Sequence, residues 1–359
     1  MRVLVVSGSS GGHIFPAFAL VDSLKETCDH VLLVLPEKSK ENKILLKSIE
    51  VKYIHTVNLT LSLSKKNISN AYFFFLAAWE SLRIVLKFKP DVVVGFGSLN
   101  TVALIFWAWL FRIKTIIHEQ NVIPGRANRL LAKLVNKVAV SFIQTGNYLK
   151  VSREKIILTG NPIRKNLVKL DKLEALDFFK FKEGKFNILI TGGSQGSHKL
   201  NTICFEALST CFVKNDLQVI HISGLGDFTL LKEAYATSGI THRIFDFFPS
   251  MQYAYSIADL IICRSGATTI AELQRFGLPA LLIPYPFAYA HQFNNARILQ
   301  DVGAALIIRD EELSAQKISD KLSEFLKNPQ KLKIMRQAYT KNQFLNAIDL
   351  LTNEILCPN

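Results

Sequence analysis

Gly8-Ser9-Ser10-Gly11-Gly12-His13 follows the apolar run Val3 to Val6, and Gly192-Gly193-Ser194-Gln195-Gly196 follows Ile188 to Ile190. A helical pattern comes after each turn, so the chain opens an α/β unit twice. Glycines at a strand-to-helix turn let the backbone approach a phosphate or a sugar and leave the unpaired N–H groups of the helix start facing it. The two openings lie about 180 residues apart. That spacing predicts two facing nucleotide-fold domains with a ligand cleft between them.

Outward from these turns the alternation is regular. Strand-like runs at Val3–Val6, His30–Leu35, Val92–Val94, Lys114–Ile117 and Val138–Val140 are separated by longer helical patterns, as a parallel sheet wrapped by helices requires. A second series has strand-like runs at Phe186–Ile190, Gln218–Ile222, Arg243–Phe245, Leu260–Cys263, Ala280–Ile283 and Ala305–Ile308, with helical pattern from Leu313 onward. Gly160-Asn161-Pro162-Ile163-Arg164 is the natural linker, because Asn-Pro breaks regular structure between the two series. The expected fold class is α/β, with one parallel sheet in residues 1–160 and another in 161–340.

Composition agrees. A chain of 359 residues exceeds what one hydrophobic core organises, and 49% hydrophobic with 20% charged residues excludes wholesale disorder. The net charge of +14 is uneven: residues 1–160 hold 21 Lys and Arg against 10 Asp and Glu, residues 161–359 hold 22 against 19. A basic half can face nucleic acid, an anionic membrane or a phosphorylated acceptor. Finger spacings, RNP-like aromatic motifs and arginine-rich tracts are missing, so no nucleic-acid partner is expected. The five cysteines, Cys28, Cys204, Cys211, Cys263 and Cys357, are scattered without a CxxC pair, which indicates neither a disulfide framework nor a zinc site. Only Arg2 and four apolar residues precede the first glycine turn, too little for a signal-peptide core, so a cytoplasmic protein is expected.

Two segments bear on membranes. Thr101 to Phe111 carries no charge, yet as a helix it reaches roughly 16 Å against a hydrocarbon core of ~30 Å, so it cannot span. Ala71 to Trp79 is also apolar, and Lys65, Lys66, Arg83, Lys87, Lys89, Arg112 and Lys114 flank the two stretches. Trp and Phe beside Lys and Arg suit a surface dipping into headgroups, with Phe74, Trp79, Trp107 and Trp109 as anchors. Two helices packed on a sheet would carry the same pattern, and the residues leave both readings open.

The polar residues cluster at strand ends, where open α/β sheets place ligands. His13 opens the first helix; its imidazole can accept a proton near neutral pH, or simply bond the loop backbone. His118-Glu119-Gln120-Asn121 follows the apolar Ile116-Ile117. In Arg264-Ser265-Gly266-Ala267-Thr268-Thr269-Ile270-Ala271-Glu272 a strand ends, a Ser-Gly turn opens a helix, and Glu272 lies one to two turns in. A helix start stabilises diphosphate charge and a carboxylate can take both ribose hydroxyls, although a helix glutamate can also be merely solvated. His291-Gln292-Phe293-Asn294-Asn295 offers partners for sugar hydroxyls. An Asp-x-Asp motif is absent, so no metal or other cofactor is expected.

Six of these motifs, Ser-Gly-Gly-His13, His118 to Asn121, Gly160 to Arg164, Gly192 to Gly196, Arg264 to Leu273 and His291 to Ala296, stand in this order over nearly the whole chain. In that order and spacing the chain resembles the peptidoglycan N-acetylglucosaminyltransferases, which convert lipid I to lipid II. The resemblance implies a GT-B fold with two Rossmann-like domains: an N-terminal acceptor domain, a C-terminal domain for UDP-N-acetylglucosamine, and a helix in 341–359 crossing back to the first. It implies inverting transfer on the cytoplasmic face of the bacterial plasma membrane. The implied partners are UDP-N-acetylglucosamine, lipid I, the anionic membrane surface and other cell-wall synthesis proteins. By the same resemblance, Ser194 meets the donor phosphates, Glu272 the ribose and Gln292 the sugar hydroxyls, with His291 close by. A backbone group at Phe248 reads the base, Arg164 lines the donor side, and Ser10, Gly11, Gly12 and Asn121 line the cleft around His13, the implied base. Ser10 stands where the family commonly has threonine. Gly95-Phe96-Gly97-Ser98-Leu99-Asn100 replaces a loop that normally holds Gly-Gly-Tyr and a downstream proline. Both departures fall on the acceptor side, which keeps a related transferase with another lipid acceptor as an alternative, beside a non-catalytic UDP-sugar-binding scaffold.

Overall fold

A computed structural model describes residues 1–41, 49–56, 66–210, 214–287, 291–341 and 345–357. The chain divides into two compact units, Met1–Lys165 with Leu345–Asn359, and Asn166–Phe344.

In the first unit β1 (Arg2–Ser7), α1 (Gly11–Leu24), β2 (His30–Pro36), β3 (Glu50–Ile54), α2 (Lys66–Phe88), β4 (Val92–Phe96), α3 (Val102–Leu110), β5 (Lys114–Glu119), α4 (Arg126–Leu131), β6 (Lys137–Val140) and β7 (Ile156–Leu158) follow one another. The strands form a parallel sheet in the order β3-β2-β1-β4-β5-β6-β7. Buried parallel strands need apolar residues on both faces, which the Val-rich runs supply. Val3, Val5, Leu33 and Val94 pack on one side with Ile14, Leu20 and Leu24 of α1. Leu4, Val6, Leu32 and Val93 pack on the other with Ile84, Val85 and Phe88 of α2 and Leu104, Ile105 and Ala108 of α3.

The second unit contains α5 (Lys172–Phe179), β8 (Phe186–Thr191), α6 (His198–Ser209), β9 (Leu217–Ile222), α7 (Phe228–Ala236), β10 (Thr241–Phe245), α8 (Met251–Ile257), β11 (Leu260–Cys263), α9 (Ala267–Phe276), β12 (Ala280–Leu282), α10 (His291–Asp301), β13 (Ala305–Ile307), α11 (Ala315–Lys327) and α12 (Pro329–Ala338). Its parallel sheet runs β10-β9-β8-β11-β12-β13. The last helix, α13 (Ala347–Leu356), belongs to the first unit, where Leu351 and Ile355 enter the core beside α1.

Each sheet reverses its strand order once, between β1 and β4 and between β8 and β11. Register brings the loops there together: Ser7 lies beside Phe96, and Thr191 beside Cys263. Both glycine turns of the sequence therefore leave their sheets at a switch point, the ligand position of open α/β sheets. Strands β3 and β7 were not anticipated. Both are edge strands, and their partly exposed residues do not form the long apolar runs of the centre.

Candidate functional site

In the first unit Ser10 caps α1, whose first residues are Gly11, Gly12 and His13. The Ser10 hydroxyl lies 2.5 Å from His13 Nδ1. With Nδ1–H donating to that hydroxyl, Nε2 keeps the lone pair that a general base requires. The ring lies against Gly97, where a methyl group would sit 3.2 Å from His13 Cδ2 and Nε2. Gly97 also holds φ +73°, so a side chain there would meet both crowding and backbone strain. Gly8 serves the same close approach, since a methyl on it would sit 2.5 Å from Ser98 Cβ. Ser98 itself holds φ +76° and ψ +156°, a region that strongly favours glycine.

The His118 to Asn121 motif supports this corner from the end of β5. Buried His118 donates from Nε2 to the Gly160 carbonyl at 2.9 Å and accepts at Nδ1 from Gln120 at 3.1 Å. Those partners fix the neutral tautomer, and burial pushes the imidazole down to about 4. Glu119 accepts four hydrogen bonds, from the backbone and side-chain amides of Asn121, from Gly125 N–H and from Asn128 Nδ2. Asn128 in turn reaches Gly97, where its Nδ2 would lie 3.4 Å from a methyl group. The sequence pointed to the motif but not to Asn128, which lies seven residues past Asn121 on α4. Arg164 lies half-buried in the segment that closes the unit.

In the second unit the Gly192–Gly196 turn lies flat on the β9 loop. A methyl on Gly192 would sit 2.4 Å from Ser197 N, and one on Gly196 2.2 Å from the Ser223 carbonyl. Ser194 is exposed at the tip of this turn. The start of α9, capped by Gly266 without a side-chain hydrogen bond, opens beside it. Glu272 is half-buried rather than solvated, and Tyr255 of α8 donates to its Oε2 at 2.7 Å. Tyr255, which sequence reasoning missed, fixes the carboxylate from another helix. The Gln292 carbonyl oxygen accepts from Ser265 N–H at 3.2 Å and Tyr285 N–H at 3.0 Å, which leaves its Nε2 as the group for a hydroxyl. His291 is half-buried at the first position of α10. The Phe248 ring is buried among Phe179 and Phe245, so only its backbone can serve a base. Among the described residues, no group of three or more His, Cys, Asp or Glu side chains is placed to hold a metal ion.

Helices α2 and α3 pack on the sheet and also present a bare outer face. Phe75 is 71% exposed, Trp79 58% and Trp109 40%, with Phe106, Leu110 and Phe111 beside them in the sequence. Two expected anchors are corrected. Trp107 packs on the core and donates its indole N–H to the Ala78 carbonyl at 2.9 Å, and Phe74 is half-buried while its neighbour Phe75 faces outward. Lys114 is also removed from the basic rim: it is buried and donates to the carbonyls of Glu354 and Cys357 at 2.8 and 2.6 Å, capping α13. Arg83, Lys87, Lys89 and Arg112 stay exposed. Lys65 and the side chains of Lys66, Ala71 and Tyr72 lie outside the described residues. Among the described residues no helix is long and apolar enough to cross a membrane.

Comparison with known proteins accounts for both units. The glycosyltransferase family 28 N-terminal domain matches residues 3–140, and the glycosyltransferase family 28 C-terminal domain matches 187–351. The UDP-N-acetylglucosamine–N-acetylmuramyl-(pentapeptide) pyrophosphoryl-undecaprenol N-acetylglucosamine transferase of Halothermothrix orenii is 35% identical, over 97% of this chain and 98% of its own. The transferase of the same name from Thermodesulfovibrio yellowstonii is 37% identical over 94% and 93%. The crystal structure of Acinetobacter baumannii MurG matches with a TM-score of 0.76 and 27% identity over 99% of each chain. Two switch-point sites on two parallel sheets, and likeness to these transferases along almost the entire length, place the chain in glycosyltransferase family 28.

Proposed function

We propose that this chain transfers N-acetylglucosamine from UDP-N-acetylglucosamine to the C4 hydroxyl of the muramoyl sugar of lipid I, giving lipid II for peptidoglycan synthesis. The observation that carries the reading is the near-full-length relationship to transferases of that name.

The transfer inverts the anomeric centre. The acceptor C4 oxygen attacks the anomeric carbon on the face opposite the diphosphate, the bond from that carbon to the β-phosphate oxygen breaks, and UDP leaves. The hydroxyl proton passes to His13 Nε2, the half-buried imidazole held by Ser10. Gly97 supports this role because it keeps a side chain away from the Nε2 edge of the ring. The departing diphosphate is stabilised by the N–H groups at the starts of α6 and α9 and by Ser194, so the reaction proceeds without a divalent cation. Glu272 takes the ribose, Gln292 and His291 the sugar, the Phe248 backbone the base, and Arg164 the donor side. Ser10, Gly11, Gly12 and Asn121 surround the acceptor.

The bare outer faces of α2 and α3, rimmed by Arg83, Lys87, Lys89 and Arg112, support peripheral docking on the anionic cytoplasmic membrane surface, where lipid I is held. Purified protein incubated with labelled UDP-N-acetylglucosamine and a lipid I analogue should yield labelled product in EDTA. A diacylglycerol acceptor should yield none. Label moving only to diacylglycerol would replace this acceptor with another lipid, and label moving to neither would leave a binding protein.

A further inference from the structure

Beneath the donor loops lies a buried ionic centre that the mechanism above does not use. Arg264 leaves the sheet directly after β11, and its side chain is only 8% exposed. Its Nη2 donates to the Ser197 hydroxyl at 2.8 Å, at the residue that ends the Gly192–Gly196 turn and caps α6. Its Nη1 donates to the Ile283 carbonyl at 3.1 Å and to Asp310 Oδ1 at 2.6 Å. The Tyr285 ring lies 5.6 Å from the guanidinium carbon, and Tyr285 N–H is one of the two groups that hold Gln292. One side chain thus ties together segments that follow β8, β11, β12 and β13, four neighbouring strands of the second sheet. A planar fork with several fixed donors can do this; a lysine ammonium has the charge without the geometry.

The charges do not cancel. Lys199, on the first turn of α6, donates to Asp310 Oδ2 at 2.9 Å, so two cations meet one carboxylate. Partial burial would raise the Asp310 carboxyl, but hydrogen bonds from Lys199 and Arg264 outweigh it and hold the group below its ordinary range. Asp310 is therefore ionised at neutral pH and pairs directly with buried Arg264, so the charge in excess of this carboxylate is that of Lys199, 44% exposed on the first turn of α6, where Asp227 also bonds His198. Buried Arg264 Nε has no hydrogen-bond partner among the described residues. The neighbouring starts of α6 and α9 lack side-chain caps, and their open N–H groups add to the positive potential.

We propose that Arg264 is a positioning residue for the donor's diphosphate: it holds the Gly192–Ser197 and Ile283–Tyr285 segments in place and, through the shared Asp310 carboxylate, orients the Lys199 cation on the first turn of α6. The inference rests on the reading of the second unit as the UDP-sugar site, and deepens it. Asp310 orients both cations.

Binding of UDP and of uridine by the full chain separates this role from a structural one, because uridine lacks the diphosphate. Lys199→Met should weaken UDP about 3–10-fold and leave uridine unchanged, as expected for a half-exposed charge. Ser197→Ala, which cuts the tether alone, should act in the same direction. Arg264→Lys should cost UDP at least about tenfold. Lys199→Met and Ser197→Ala alter little packing, so they decide the matter if Arg264→Lys does not fold. Variants that fold and keep the parent's ratio of UDP to uridine affinity would overturn the positioning role. A parent that binds UDP no better than uridine would instead overturn the donor-site reading beneath it.

Discussion

The two units share a strand order around their switch points and arrange charge in opposite ways. In the second, a cation is buried behind the glycine loops, braced by Asp310 and Ser197. In the first, the loops converge on an imidazole and a hydroxyl, while Arg83, Lys87, Lys89 and Arg112 stay on the surface near exposed aromatics. A fixed internal charge suits a small dianion that comes and goes, because it is shielded from salt and needs no reorganisation. Mobile surface cations and bare rings suit an extended anionic, apolar surface. The contrast is the one expected if, as proposed, the second unit recognises the small donor and the first takes the acceptor at a membrane surface.

The largest effect should come from dividing those labours. His13→Ala should lower kcat by ~10²–10⁴-fold, the usual range for a general base, with UDP affinity unchanged. Glu272→Ala should instead weaken UDP by about 1.5–3 kcal/mol, the worth of hydrogen bonds to a charged group. Tyr255→Phe should do so by less, since it loosens the carboxylate without removing it. Titration calorimetry beside steady-state kinetics reads both quantities. A His13→Ala protein that loses UDP as Glu272→Ala does would erase the division between the units.

How much of this was legible depended on whether the signal was local. The central strands β1, β2, β4 and β5 announce themselves as apolar runs because both of their faces are covered. The edge strand β3, with Glu50 and Lys52 among its five residues, does not. Glycine turns are legible for the same local reason: a positive φ or a close approach excludes side chains wherever the chain is cut. The braces are not. Arg264 and Asp310 are 46 residues apart, and Tyr255 and Glu272 are 17 apart on different helices, so only the assembled sheet brings each pair together. The apolar Thr101 to Phe111 segment has an inner face in the core and a bare outer face, and periodicity did not tell Trp107 from Trp109.

Acid offers a second way to compare the units, because each buries one neutral histidine. Burial pushes His118 down to about 4, against a smaller opposing effect of the Gly160 carbonyl. It pushes His221, bonded to Tyr235 and Asn201, down to about 3, opposed by Asp227. The unfolded chain protonates these rings near 6.5 while the folded chain does not, so their contribution is intact above that pH and is lost as pH falls. The loss should level off near 4 for the first unit and near 3 for the second, at about 3 and about 5 kcal/mol. Melting temperature against pH should show this slope, and His118→Gln should flatten its upper part. An acid limb identical in parent and variant would mean that His118 is not the titrating group.

The smallest effect concerns the exposed face of α2 and α3 in the first unit. Vesicles of anionic lipid should bind the protein with two components: exposed cations worth ~1 kcal/mol each that salt screens, and buried aromatic area that salt does not remove. Sedimentation should therefore fall with rising salt without vanishing. Trp79→Ala with Trp109→Ala should abolish most of the salt-resistant remainder and leave the melting temperature nearly unchanged, because both rings face outward. Trp107→Ala should do the reverse, since its ring packs on the core and its indole is tied to the Ala78 carbonyl. Should the double variant melt lower and bind as tightly as the parent, the exposed rings would be part of the packing, and the contrast between an outward-facing first unit and an inward-charged second would lose its outward half.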